Sequence, residues 1–223
     1  MNSYHRDVRF DRTTFGAHRH VCAFFNSAEE EGRVLTPFIK EGLSNGEKSL
    51  HIVDPTEHDA YLSGLRASDI PVDASMESGQ LEVVPWDQAH VRNGRFDQHA
   101  MLAWADDVLT NVDAAYTGAR VVAHMEWALL DLPGVEDLLE YETRVNHMMT
   151  KHDAAVICAY SASRFSAGVA MDIMRTHPLV IIGGVLQENP FYVSPDELLE
   201  EIRAARSRRL PATRTYSPAV STA

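Results

Sequence analysis

Short apolar runs alternate with amphipathic stretches of about 10–17 residues along most of this chain, and that alternation limits the fold more than any other feature. Strand-like runs fall at His18–Phe25, Ser49–Val53, Gln80–Val84, Ala119–Met125, Ala154–Tyr160 and Leu179–Ile182. The segments VVAHM and AAVICAY are apolar on both strand faces, so they need cover on both sides of a sheet. Helical periodicity lies between them. Val34, Leu35, Phe38, Ile39 and Leu43 recur at helical spacing behind a cap at Asn26 or Ser27, and Asn45-Gly46 ends that helix. Further helices are predicted over Pro55–Ala67, Phe96–Val112, Val135–Met149, Ala167–Arg175 and Pro195–Arg206. The expected fold class is three-layer α/β in a single domain: a mainly parallel central sheet with helices on both faces.

The chain has 223 residues, 45% of them hydrophobic, enough for one sizeable core. We expect a polar N-terminal arm over 1–17, the domain over 18–206, and a disordered tail rich in Ser, Thr, Pro and Ala over 207–223. Two cysteines, Cys22 and Cys158, are too few for a disulfide framework and read as small buried hydrophobes. No signal peptide is legible at the N-terminus. No apolar stretch approaches the ~18 residues of a membrane span, so the expected location is cytoplasmic, without membrane contact. A net charge of −12 opposes nucleic-acid binding. The one basic cluster, Arg203, Arg206, Arg208 and Arg209, alternates with Glu197, Glu200 and Glu201 as on a solvated helix face. No zinc-finger spacing and no helix-turn-helix pair are legible.

A parallel sheet binds ligands at the carboxyl ends of its strands. The first strand-to-helix turn reads FFNSAEEEGR. It lacks the first Gly and the Lys of a phosphate-binding loop and sets three carboxylates where a phosphate would sit. ATP binding is therefore not expected. No dinucleotide fingerprint follows any strand, and no nucleophile elbow is present. The segment AHMEWALLDLPG ends an apolar strand in His124, Met125, Glu126 and Trp127. Strand alternation puts His124 and Glu126 on one face and Met125 and Trp127 on the other. Glu126 reads equally as a structural carboxylate and as the polar anchor of a pocket. Phe25, Trp86 and Tyr160 close other strands and His177 opens the last one. His18, His20 and Cys22 alternate along one strand and could converge on a metal, but His147 and His152 are five apart and make no helical pair. Neither a metal, a cofactor nor a catalytic residue is assigned.

HVCAFFNSAEEEGRVLTPFIKEGLSNGEKSLHIVD, GQLEVVPW, NGRFD, MEWALLDLPG, LLEYETRVN and THPLVIIGG-x-L-x-ENPFY together resemble the MEDS family of sensory domains, from His18 to Tyr192. The resemblance implies a RecA/KaiC-like fold without its phosphate loop. It also implies sensing of small hydrocarbon derivatives, halogenated or oxygenated compounds of one to a few carbons. Family members are commonly fused to helix-turn-helix, kinase or other signalling domains; nothing of the kind is legible here, so the chain reads as a stand-alone sensor or an excised sensory domain. The expected ligand-binding residues are Phe25, Trp86, His124, Met125, Glu126, Trp127, Tyr160 and His177, with loops 86–95 and 126–135 as moving parts. The expected partners are a small organic ligand and a signalling protein (a kinase, an anti-sigma factor or a transcription regulator), and a homodimer is compatible with the sequence. The alternatives are a hydrolase-like enzyme using Glu126 and His124, and a protein-interaction module with a vestigial pocket.

Overall fold

The computed structural model describes residues 8–10, 13–16 and 18–209. Its strands are β1 (Val8–Phe10), β2 (Thr13–Phe15), β3 (His20–Phe25), β4 (Lys48–Val53), β5 (Leu81–Pro85), β6 (Ala119–His124), β7 (Ala154–Ser161), β8 (Leu179–Ile182) and β9 (Val185–Glu188). The helices are α1 (Ala28–Ser44), α2 (His58–Ala67), α3 (Val72–Glu77), α4 (Gln98–Ala115), α5 (Leu138–Met149), α6 (Ala167–Thr176) and α7 (Pro195–Arg209). Seven strands form one sheet in the order β5-β4-β6-β7-β3-β8-β9. All pairings are parallel except the last, where β9 returns antiparallel on β8. The fold is the expected three-layer α/β arrangement.

Strand alternation sorts the side chains onto two faces. In β7, Val156, Cys158 and Tyr160 point to the α4–α5–α6 side, where Leu109, Val145 and Ile173 meet them. Ala155, Ile157 and Ala159 point to the α1–α2–α3 side, against Leu35, Phe38 and Leu62. Side-chain caps fix where two of the long helices start. Ser27 Oγ accepts from Glu30 N–H at the start of α1, and Asp97 Oδ1 accepts from His99 and Ala100 N–H at the start of α4. The outermost helix, α7, buries Leu198 and Leu199, packs across α5, and ties back through Arg206 to Asp137 and Glu140. Among the described residues, no helix is long and apolar enough to cross a membrane.

Four features depart from the sequence reading. The segment read as a loose arm contains the β1–β2 hairpin, and Val8, Phe10 and Phe15 bury against Phe38 of α1. Strand signals of three residues are too short for periodicity to register. Helix α3 is likewise a single short turn of six residues. The last predicted strand, Leu179–Ile182, does not end the sheet: Gly183-Gly184 is the two-residue turn of a β8–β9 hairpin, with φ of 59° and 79° as the twist of a tight hairpin demands. Helix α7 runs past the expected boundary at 206 to Arg209, and the rest of the predicted tail lies outside the described residues.

Candidate functional site

A cavity of about 50 Å³ lies between the sheet and helices α4 and α5. Leu50 and Ile52 of β4, Val121 and Ala123 of β6 and Val156 of β7 form its floor; Met101, Ala105, Val108, Leu109, Tyr141, Val145 and Met148 roof it. Small side chains at Ala105 and Ala123 leave space that well-packed interiors ordinarily fill. The wall is apolar apart from His20, Glu142 and Cys158, which join it from β3, α5 and β7, and His90. A second, outer cleft of about 220 Å³ is lined by His90, Arg92, Asn93, Arg95, Asp97 and Met101, among others. His90 and Met101 belong to both and form the partition between them.

The polar end of the cavity is a buried cluster. His20 Nε2 lies 3.1 Å from Glu142 Oε2, Cys158 Sγ lies 3.5 Å from His20 Nε2, and His177 Nε2 lies 3.5 Å from Glu142 Oε2. Tyr160 OH donates to Glu142 Oε1 at 3.3 Å, and the Cys158 thiol to Oε2 at 3.8 Å. Burial raises the Glu142 carboxyl above its ordinary range, against the lowering effect of His177 and of the Tyr160 and Cys158 hydrogen bonds. Burial, with the Glu142 charge adding to it, raises the Cys158 thiol. Burial lowers His20 to about 4, against the pull of its Asn146 hydrogen bond. It lowers His177 to about 3, with the charge of His20 adding to the fall.

The sequence candidates divide between the two faces of the sheet. Met125 lines the cavity. Tyr160 reaches its polar end through Glu142, and His177 stands beside that carboxylate. Trp127 stacks on His90 at 4.7 Å between ring centroids, one shell behind the wall, and Trp86 packs on the same core. Phe25 is buried on the opposite face, among the α1-side residues. His124 also faces that way and donates from Nε2 to Glu31 Oε1 at 2.6 Å. Burial alone would lower His124; the hydrogen bond to Glu31 and the charges of Glu31, Glu126 and Asp54 hold it above its ordinary value. Glu126 accepts from the Ser161 N–H at 3.1 Å, so the side-chain partner of His124 is Glu31, not Glu126. At the first strand-to-helix turn, Glu30 accepts from Asn26 N–H at 2.8 Å. Polar groups at the carboxyl edge of the sheet are thus engaged with one another, and the cavity runs from the middle of the strands to Ala123 and Met125 at the end of β6. His18 is exposed and Cys22 donates to Leu179 O, so of that trio only His20 joins the cluster.

Sequence reasoning passed over Glu142 and His90 and read Cys158 only as a small buried hydrophobe. One signal was available for Glu142: with Val145 and Met149 it recurs on the buried face of α5, where an unpaired carboxylate is costly.

His90 and His51 carry a pH consequence. Burial lowers both rings to about 3, and the charge of His124 adds to the effect on His51. An unfolded His titrates near 6.5 (about the peptide value). Their folded pKa values are depressed, so the stability they hold is full above about pH 6.5 and is lost as pH falls, by about 1.4 kcal/mol per pH unit for each ring. Urea unfolding at pH 7 and pH 5 checks this. His90→Phe, which keeps a ring on Trp127, should lose about 2 kcal/mol less over that interval than the wild type. An equally steep loss in the variant would show that His90 does not stay neutral on folding.

The family description "MEthanogen/methylotroph, DcmR Sensory domain" (MEDS) matches residues 19–178. The chain belongs to the MEDS family. The transcriptional repressor DcmR of Methylorubrum extorquens is 26% identical over 164 residues, which is 72% of this chain. The chain spans 58% of that repressor's length. A sensory or regulatory role follows from the family and this relative together. Among solved structures, the flagellar accessory protein FlaH of Methanocaldococcus jannaschii overlaps 76% of this chain and 75% of its own, at a TM-score of 0.48 and 13% identity. A KaiC-like protein of Pyrococcus horikoshii OT3 overlaps 74% of this chain and 69% of its own, at 0.48 and 11%. These neighbours are RecA/KaiC-like; the layer arrangement of this MEDS chain rests on its own strand order. The MEDS match takes in β3 to α6 and so contains the cavity wall and the whole buried cluster.

Proposed function

We propose that this MEDS chain senses a small, mostly apolar organic molecule, a halogenated or oxygenated compound of one to a few carbons, held in the cavity under α4 and α5. The observation that carries the reading is the cavity itself: about 50 Å³, apolar on its long walls, with hydrogen-bonding groups gathered at one end. A water needs roughly 10–15 Å³ of such space and benzene is held by about 150 Å³, so a molecule between the two in size fits. Few directional polar groups in an apolar wall is the usual composition of a small-molecule site. The three carboxylates at Glu29, Glu30 and Glu31, with Glu30 and Ser27 capping the first turn of α1, support a sensor rather than a nucleotide-hydrolysing domain.

Signalling requires that the ligand favour one of two conformations. His90, on the partition, stacks on Trp127, and Phe96 N–H donates to Pro133 O at 2.9 Å. Loops 86–95 and 126–135 are therefore joined at the cavity's edge, and a ligand pressing on His90 would move both. The regulated partner is a transcriptional or signalling protein, by analogy with the repressor relative.

A thermal-shift panel of haloalkanes, short alcohols, small ketones and nucleotides tests the reading. A ligand of the folded state raises the melting temperature with RT ln(1 + [L]/Kd). We expect a shift from small organic compounds, and Ala123→Val, a β-branched residue suited to its strand, to fill the cavity and abolish it without lowering the melting temperature of the free protein. A response unchanged in Ala123→Val, or one confined to nucleotides, would overturn the assignment.

A further inference from the structure

We propose that His20, Glu142, Cys158 and His177 bind a divalent transition-metal ion, zinc by their chemistry. The inference goes beyond sensing and does not depend on what the cavity holds. The four donor atoms all lie within 4.8 Å of one another, and all four residues are buried. A tetrahedral ion with bonds of about 2.0–2.3 Å sets its donors roughly 3.3–3.8 Å apart. The measured separations of 3.1, 3.5, 3.5 and 3.8 Å already lie close to that range.

The surrounding hydrogen bonds fix the right nitrogen on both rings. Asn146 donates from Nδ2 to Thr176 O at 2.7 Å, which turns its Oδ1 toward His20 Nδ1 at 3.2 Å. That ring nitrogen must carry the proton, leaving the Nε2 lone pair toward Glu142 and Cys158. His177 Nδ1 donates to Ile173 O at 2.9 Å, so its Nε2 lone pair is free as well. Among the described residues this His177 Nε2 has no hydrogen-bond partner, although it is buried and aimed at the cluster. Metal-binding imidazoles are held in this way, by a carbonyl on the far nitrogen.

A thiolate, a carboxylate and two neutral imidazoles suit a borderline-soft ion such as zinc better than calcium or magnesium. The Cys158 and Glu142 charges would cancel the two positive charges, leaving a neutral site in an apolar interior, and binding would release the thiol and any carboxyl proton to solvent. Two strands and two helices would then be joined at one point beneath the cavity: β3, β7, α5 and, through its C-cap His177, α6.

The test uses the full chain without a histidine tag, purified free of chelators and imidazole. Elemental analysis should find one zinc ion per chain. Exchange into cobalt(II) should give intense visible bands of a tetrahedral site and a thiolate-to-cobalt band in the near-ultraviolet. Cys158→Ser should remove the thiolate band, and Cys22→Ser should retain it. Asn146→Ala should weaken the metal by about 10- to 100-fold through loss of ring orientation alone. Only trace metal after equilibration with micromolar zinc, or a wild-type cobalt spectrum without the thiolate band, overturns the proposal, and the wild-type measurements decide it even if a variant fails to fold. Because metal content is read without any organic ligand, a failure here leaves the sensing assignment to its own test.

Discussion

Glu47→Ala should destabilise the domain by about 3–5 kcal/mol, the loss expected when one partner of a buried ion pair is removed. Arg120, the second residue of β6, is 1% exposed. Its guanidinium donates to Glu47 from Nε at 2.6 Å and from Nη2 at 3.2 Å, a fork that a carboxylate matches with both oxygens. Nη1 donates to Phe38 O at 2.7 Å, and the group lies 4.6 Å over the Phe38 ring. Glu41 approaches to 3.1 Å but is about one-third exposed, so it cannot replace Glu47 inside the core. Even Gly42 is shaped by this pair: a Cβ there would stand 2.6 Å from Arg120 Cδ. The desolvation penalty falls on the charge left behind, so the joint replacement Glu47→Leu with Arg120→Met should cost far less than Glu47→Ala. Urea midpoints for the three proteins check the order. If the double variant is as unstable as the single one, the loss comes from packing. The pair sits on the α1 side of the sheet, away from the cavity, so the ligand response of Glu47→Ala should persist below its melting temperature.

Arg120 also shows where sequence reading stops. Its strand was legible because Ala119, Val121, Val122 and Ala123 flank it, yet nothing in ARVVAH names Glu47, 73 positions earlier, as its partner. The other parallel strands were legible as short apolar runs of the same kind, and the longer helices because their apolar residues recur at helical spacing. The β1–β2 hairpin, α3 and β9 were not, because VRF, TTF, VDASME and VLQE carry neither a continuous apolar run nor enough residues for a helical repeat. The candidate site was legible in part. Met125, Tyr160 and His177 lie at or beside the cavity, whereas Phe25 and His124 sit on the other side of the sheet. The rule that ligands gather at strand ends drew attention to that edge, and there Glu30, Glu31 and Glu126 are already engaged within the chain. Ala105 of α4 and Ala123 of β6 both line the void, from different layers, and no local pattern places them at one cavity.

Trp127→Ala is the second large effect, again about 3–5 kcal/mol, the range for removing a buried Trp. Trp127 is fully buried and lies 4.6 Å from Phe96 and 4.7 Å from His90, centroid to centroid. Tyr141 meets Phe96 and His90 edge-on, at 5.2 and 6.2 Å, so the four rings form one aromatic block that reaches the cavity through Tyr141 and His90. Trp127→Phe should cost less than ring area alone suggests. The indole N–H is buried without an acceptor among the described residues, and Phe removes that unpaired donor. Truncation to Ala also frees His90 on one side, so the partition to the outer cleft loosens and the cavity gains room. The variant should therefore respond in the thermal-shift panel to bulkier organic molecules than the wild type does. Unfolding by urea gives the stability loss and the panel gives the selectivity. A loss under about 1 kcal/mol, well below the usual range for a buried aromatic, would mean that the block relaxes around the gap and that Trp127 does not hold His90 in place.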